Sequence, residues 1–185
     1  MKSKKNIIRE KMALSKKSLS DEKIMEKSKL ICDRLVQTLL FQESNRIAFY
    51  CATDNEVSTY ELMDKYRFKK HIVLPVISIE NMNFYPYTGK ENLKKGAFGI
   101  LEPISRDIVP PEDIDLFIVP GVAFDYLCNR MGRGKGYYDR FLSNIDKPTI
   151  GLCFEFQLMK YTPHESHDKK MTIVLTENAT ILQQN

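Results

Sequence analysis

No run in these 185 residues comes near the roughly 18 to 20 consecutive apolar residues that a bilayer-crossing helix needs. The start, MKSKKNIIREK, also lacks the apolar stretch of a secretory signal. Neither membrane insertion nor secretion is therefore expected, and the expected compartment is the cytoplasm. The four cysteines, Cys32, Cys51, Cys128 and Cys153, form no CxxC pair, which excludes a zinc ribbon and a dithiol redox motif. Isolated thiols of this kind suit a reducing environment. Internal repeats and low-complexity tracts are absent as well. Nor is there a large excess of one charge: 28 Lys plus Arg against 24 Asp plus Glu leave +4, too little by itself to mark a nucleic-acid binder.

What is present is ordinary globular material, 43% hydrophobic and 28% charged, enough to build a core. The length suits a single domain spanning 1–185. A basic helix is expected to about Lys17, and a second after Ser20, with Ile24, Ser28, Ile31, Leu35 and Leu39 on its inner face. Arg46 to Cys51 reads as a buried strand, and Ser58 with Glu61 as the capping box of a helix ending near Phe68. Further strands are expected at His71–Val76, Met82–Tyr87, Asp115–Pro120, Thr149–Cys153 and Met171–Thr176. Pro75 and Pro86 place parts of two of these at strand ends or sheet edges. Between them, Gly89 to Pro111 reads as a connection that covers a site. Strands alternating with helices predict an α/β fold, a three-layer α/β/α sandwich with a mostly parallel, Rossmann-like sheet.

Chemistry concentrates in Arg130-Met131-Gly132-Arg133-Gly134-Lys135-Gly136-Tyr137-Tyr138-Asp139-Arg140, which follows a buried strand and opens a helix. Ligands of open α/β sheets bind beyond the carboxyl ends of strands, so the position suits a site. Glycines let a backbone approach an anion with its N–H groups turned inward, and Arg133 and Lys135 add full charges. The segment is not a P-loop, because Gly136 follows Lys135 where a hydroxyl residue belongs, and GxGxG does not match the dinucleotide fingerprint. A flexible surface turn with solvated cations is the competing reading. Asp139 suits a magnesium ligand completed by substrate phosphates, or equally an ordinary first-turn helix carboxylate.

Together with Pro120-Gly121-Val122-Ala123-Phe124-Asp125, this segment resembles the signature of the 5-formyltetrahydrofolate cyclo-ligase (methenyltetrahydrofolate synthetase) family. The likeness extends over nearly the whole chain. Lys5-Asn6-Ile7-Ile8-Arg9, Asn55-Glu56-Val57-Ser58-Thr59, Gly99-Ile100-Leu101-Glu102-Pro103 and Pro163-His164-Glu165-Ser166-His167-Asp168 fall in the family's order. The resemblance implies a ligase that converts 5-formyltetrahydrofolate and ATP, with magnesium, to 5,10-methenyltetrahydrofolate, ADP and phosphate. It implies an ATP site formed by Lys5, Arg9, Arg130, Met131, Gly132, Arg133, Gly134, Lys135, Gly136, Tyr137 and Tyr138. Arg133, Lys135 and Tyr137 would also act on the formyl group, with Gly134 and Gly136 beside the substrate.

By the same resemblance, Glu56 would bond the pterin, Cys51 would wall its pocket and Phe98 would stack on the folate. Without it, Glu56 is as well read as a solvated loop acid, Cys51 as core, and Lys5 and Arg9 as a solvated helix face. The expected metal residues are Asp139 and Thr172, the latter standing where family members often carry a second aspartate. The cluster of His164, Glu165, His167 and Asp168 matches no common zinc spacing and reads as a structured loop with capping carboxylates. Expected partners are the two substrates, with no nucleic acid, no membrane and a monomeric state. The alternative is a non-catalytic module binding phosphate or nucleic acid through the same basic patches.

Overall fold

The computed structural model describes residues 3–184, except 55, 79, 80, 97, 98, 106, 166 and 167. Apolar side chains alternate along five short strands, β1 (Arg46–Ala48), β2 (His71–Ile77), β6 (Leu116–Pro120), β9 (Thr149–Leu152) and β11 (Ile173–Leu175). Ile47, Ile72, Leu74, Leu116, Ile118, Ile150, Leu152, Ile173 and Leu175 enter one apolar cluster, and Ala48, Val73, Phe117, Val119 and Val174 enter another. A sheet buried on both faces must be covered by helices on both sides. Helices α2 (Asp21–Gln37), α3 (Leu39–Glu43) and α4 (Tyr60–Tyr66) supply Ile31, Leu35, Phe41, Leu62 and Met63 to the first cluster. Helix α5 (Tyr137–Leu142) supplies Leu142 and Phe141 to the second. The result is the expected three-layer α/β/α sandwich.

The sheet has seven strands in the order β12-β11-β9-β6-β1-β2-β3, where β3 is Met82–Pro86 and β12 is Thr180–Leu182. Every pair from β11 to β2 is parallel, and the two edge strands are antiparallel. Counted along the chain, the parallel strands lie in the order second, first, third, fourth, fifth, so the winding reverses between β1 and β6. That reversal opens a crevice beyond their carboxyl ends, where Tyr50 and Cys51 leave β1 and Pro120 ends β6. Pro75 is accommodated because β1 pairs with β2 only as far as Val73, so the missing N–H removes no ladder bond on that side.

Several local expectations are corrected. The second helix stops at Gln37, because Thr38 turns extended and its hydroxyl caps α3; Leu39 is thereby thrown outward, 70% exposed. The Ser58–Glu61 capping box does not form: Thr59 is the N-cap and makes no side-chain cap bond, while the Ser58 N–H donates to Ser28 Oγ at 3.1 Å. A small second sheet went unforeseen, in which β7 (Ala123–Asp125) pairs with β8 (Arg130–Met131) and with β10 (Leu158–Met159). Its strands are too short to show a period. The Gly89 to Pro111 connection likewise contains a hairpin, β4 (Leu93–Lys95) with β5 (Leu101–Pro103).

Phe124, fully buried, sits against β9 so closely that a Cβ at Gly151 would lie 2.4 Å from its ring. Overpacking of this kind costs about 1–3 kcal/mol. Gly151→Ala should accordingly lower the thermal midpoint by several degrees, at about 2–4 °C per kcal/mol for a chain of this size. An unchanged midpoint in a melting experiment would show that the ring can give way.

Candidate active site

Helix α1 (Lys4–Lys17), capped by Ser3, borders the crevice through Lys5 and Arg9. Its Arg9 donates through Nε and Nη2 to the Gly132 carbonyl at 3.3 and 3.2 Å, tying the helix to the glycine-rich loop. Gly134 and Gly136 adopt φ of 95° and 68°, left-handed values that glycine takes without penalty. They fold Gly132 to Gly136 into a tight loop between β8 and α5.

Two cavities share this loop as a common wall. The first encloses about 200 Å³ and is lined by Tyr50, Cys51, Ile77, Ile100, Tyr138 and Lys135 among others. Its exposed surface is largely apolar, and Glu56, Glu102, Arg133 and Lys135 are set around it, the form expected of a pocket that holds an organic ring and fixes its polar edge. The second is wider, about 460 Å³, and its lining is charged: Lys5, Arg9, Arg130 and Arg140 face Asp139, Glu165 and Asp168. Arg130, Gly132, Gly136 and Asp139 border both. Concentrated cations of this kind on a helix and a loop favour an anion such as a phosphate chain.

At the boundary, the side chain of Arg130 is only 4% exposed. It pairs with Asp139, donates to the Pro120 carbonyl at 3.2 Å, and lies 5.6 Å from the Tyr138 ring. Arg133 reaches the opposite way, with Nη2 3.1 Å from Glu56 Oε1 and a further bond to the Thr53 hydroxyl. Glu56 is held in turn by the Thr53 N–H at 2.9 Å and the Thr53 hydroxyl at 3.0 Å. From behind, Tyr50 donates its hydroxyl to the Val57 carbonyl at 2.8 Å, and Lys16 lies 3.5 Å from the Glu56 carbonyl. The Glu56 carboxylate is therefore presented to the slot by a loop fixed on several sides.

Cys51 lines the slot but is no nucleophile. Burial pushes its thiol up to about 12, despite a bond with Tyr60 that works in the opposite direction. Burial likewise raises the Tyr138 phenol well above its usual range, with the negative charge of Glu56 adding to the effect. Lys16 is pulled down by burial, against the attraction of Glu56.

The structure thus brings together Lys5, Arg9, Cys51, Glu56, Asp139 and Arg130 to Tyr138, with Met131 on the phosphate side. Thr172 is elsewhere. It lies at the amino end of β11, where its hydroxyl accepts the Thr149 N–H at 3.1 Å, and it borders a groove with Asp146, Lys147 and Lys170. It is at the wrong end of the sheet to share a metal with Asp139. The other carboxylates that line the charged cavity with Asp139 are Glu165 and Asp168, on the loop read as structured by capping carboxylates. Asp168 Oδ2 does accept the Glu165 N–H at 2.9 Å, and Glu165 pairs with Lys5 at 3.4 Å. Phe98 falls outside the described residues. Sequence reading also missed Thr53, Ile100, Glu102 and the buried Lys16, for which helical spacing along the basic first helix was the available signal.

Among the described residues no group of three or more acidic, His or Cys side chains could hold a metal alone. Magnesium is commonly held by one or two carboxylates together with substrate phosphates, and Asp139 with Asp168 fits that donor set. Among the described residues no helix is long and apolar enough to cross a membrane.

Fold and site define a class first: a doubly wound α/β enzyme in which a cation-rich cavity adjoins a slot of largely apolar surface across one glycine-rich loop. The model of the 5-formyltetrahydrofolate cyclo-ligase family matches residues 1–177, and the chain belongs to that ligase family. It is 31% identical to a probable 5-formyltetrahydrofolate cyclo-ligase of Schizosaccharomyces pombe, over 96% of this chain and 97% of that one. It is 28% identical to the 5-formyltetrahydrofolate cyclo-ligase of Mus musculus, over 88% of each. The solved structure of Aquifex aeolicus 5,10-methenyltetrahydrofolate synthetase superimposes with a TM-score of 0.88 at 31% identity, covering 98% of this chain and 93% of that one.

Proposed function

We propose that this ligase closes 5-formyltetrahydrofolate to 5,10-methenyltetrahydrofolate at the expense of ATP, with the pterin in the apolar slot and the phosphates in the charged cavity. The observation that carries this reading is the shared wall of Arg130, Gly132, Gly136 and Asp139, at which ligands in the two cavities would meet. A formamide oxygen is a poor leaving group until it is phosphorylated. The formyl oxygen attacks the γ-phosphorus, the bond to the β-phosphate oxygen breaks, and ADP departs. Nitrogen 10 then attacks the formyl carbon and loses its proton. The C–O electron pair leaves with inorganic phosphate.

Phosphoryl transfer of this kind asks mainly for positioning and charge compensation. Lys5 and Arg9 hold the nucleotide phosphates, and Arg130 and the loop N–H groups line their path. Arg133 and Lys135 face the slot, where the transferring group meets the formyl oxygen. Glu56 accepts hydrogen bonds from the pterin, and Tyr137 and Tyr138 close the slot against water. Magnesium, held by Asp139 and Asp168 with the phosphates, would neutralise charge on the β- and γ-oxygens. No protein nucleophile is required, in keeping with the protonated Cys51.

The test is optical. Purified protein mixed with 5-formyltetrahydrofolate, ATP and magnesium should develop the near-ultraviolet band of the methenyl product, and should not when ATP is omitted. A silent complete mixture, with both ligands bound in calorimetry, would refute the reaction assigned to these cavities.

A further inference from the structure

A carboxylate that touches neither cavity holds both sides of the phosphate site. Asp125, at the end of β7, is fully buried. Its Oδ1 accepts the N–H groups of Leu127 and Asn129 at 3.0 and 2.9 Å and the Asn129 side-chain amide at 3.1 Å. Its Oδ2 accepts that same amide at 3.0 Å, and the N–H and hydroxyl of Thr162, each at 3.0 Å. Burial alone would raise this carboxyl, but the bonds from Asn129 and Thr162 outweigh it and hold the group below its ordinary value. It is ionised at neutral pH.

The two sets of donors belong to different walls. The turn from Asp125 to Asn129, closed by the Cys128 N–H on the Asp125 carbonyl at 2.9 Å and with Cys128 at φ 63°, leads directly into Arg130, Met131 and the glycine-rich loop. Thr162 precedes Pro163, Glu165 and Asp168, which line the far side of the phosphate cavity. Elsewhere the segments are joined at their flanks: β10 pairs with β7 through Leu158–Phe124 and Met159–Asp125. The Gln157 amide donates to the Gly121 and Val122 carbonyls at 3.2 and 3.0 Å, and the Met171 N–H donates to the Cys128 carbonyl at 2.9 Å, while Asp125 holds the stretch that enters the cavity wall. A fully desolvated carboxylate satisfied by several donors is rigid, since displacing any one leaves buried polar groups unpaired.

We infer that Asp125 is a positioning residue that sets the width of the phosphate cavity, by fixing its glycine-loop wall and its Glu165–Asp168 wall to one buried carboxylate. The inference rests on the proposed function only for the identity of the ligand. Its test is therefore equilibrium binding, which proceeds whether or not turnover does. Asp125→Asn keeps the shape but turns one acceptor into a donor facing donors. In calorimetry it should weaken Mg·ADP about tenfold, the scale of one charge-assisted hydrogen bond, while 5-formyltetrahydrofolate affinity stays within about twofold.

Thr162→Val removes only the hydroxyl that crosses between the walls. It should weaken Mg·ADP in the same sense, by about threefold to tenfold, and it decides the matter if Asp125→Asn does not fold. A lowered melting temperature with Mg·ADP affinity unchanged in both variants would reduce Asp125 to a fold-stabilising group and overturn the inference. So would an equal loss of affinity for both ligands. A wild-type protein that binds Mg·ADP but forms no methenyl product would count against the proposed reaction and leave this test standing.

Discussion

Arg133→Ala should lower the turnover of methenyl formation by about 10²–10³-fold while leaving the protein folded, the range seen when a preorganised donor is removed from developing charge. The two halves of that expectation come from different features of the residue. Its side chain is 50% exposed and that of Glu56 11%, so the pair at 3.1 Å is half solvated. Because Glu56 keeps the Thr53 N–H and hydroxyl, losing Arg133 should cost about 1–2 kcal/mol of stability, too little to unfold the protein. Its position is another matter. The guanidinium projects from the glycine-rich loop into the slot and is held there by Glu56 and Thr53, beside the wall that the two cavities share. Charge compensated there acts only as the phosphoryl group moves, so the loss should fall on kcat more than on KM. Arg133→Lys, which keeps the charge but not the planar fork, should recover only part of the rate. Stopped-flow absorbance on both variants gives the split. A loss below tenfold with a normal KM would assign the phosphate chemistry to Lys135 instead.

How far the sequence foretold this site depends on how each residue is delivered. The parallel core was legible, because runs such as Leu116 to Val119 have no reason to be so apolar unless both faces of a strand are covered. The glycine-rich loop was legible because charge, glycine and position after a buried strand coincide in one contiguous segment. Residues delivered by tertiary contact were harder to read. Lys16 lies on a helix full of lysines and is distinguished only by its burial, with Phe154 5.1 Å beneath its ammonium. Asp125 stands inside the most recognisable segment of the chain. Its role depends on Thr162, far along the sequence, and on a hairpin too short to announce itself.

The pairing of Asp139 with a second carboxylate shows the same limit. The family resemblance pointed to Thr172, in a late strand, but parallel strands have two ends, and only the carboxyl end faces the crevice. The Thr149–Thr172 hydrogen bonds lie at the other end of β9 and β11. Asp168 lies a few residues earlier, on a loop whose acidic and histidine residues carried no metal spacing. It reaches the cavity because the chain at Thr162 is anchored to Asp125. A loop's destination is set by its anchors, which a one-dimensional pattern does not display.

Asp139 itself should separate two roles when replaced in two ways. Its carboxylate neutralises Arg130, whose side chain is 4% exposed, while the carboxylate is 34% exposed. Asp139→Ala leaves that guanidinium without its carboxylate, against the Pro120 carbonyl at 3.2 Å and the Tyr138 ring at 5.6 Å. Removing one partner of a fully buried pair costs about 3–5 kcal/mol, and the partial exposure of Asp139 puts the expected loss at or below the lower end. Asp139→Asn keeps an oxygen for Arg130 and should cost much less, yet it removes the charge that would share magnesium with Asp168 and the phosphates. Its expected signature is a half-saturating magnesium concentration raised about tenfold or more with a nearly normal melting curve. An Asn variant with the wild-type magnesium dependence would leave Asp139 with its structural role alone, and the metal would then have to be held by Asp168 and the phosphates. The alanine variant distinguishes these cases further. If excess magnesium restores its rate but not its stability, the carboxylate performs both functions, and Arg130 is free to turn from Asp139 to the phosphates when the nucleotide binds.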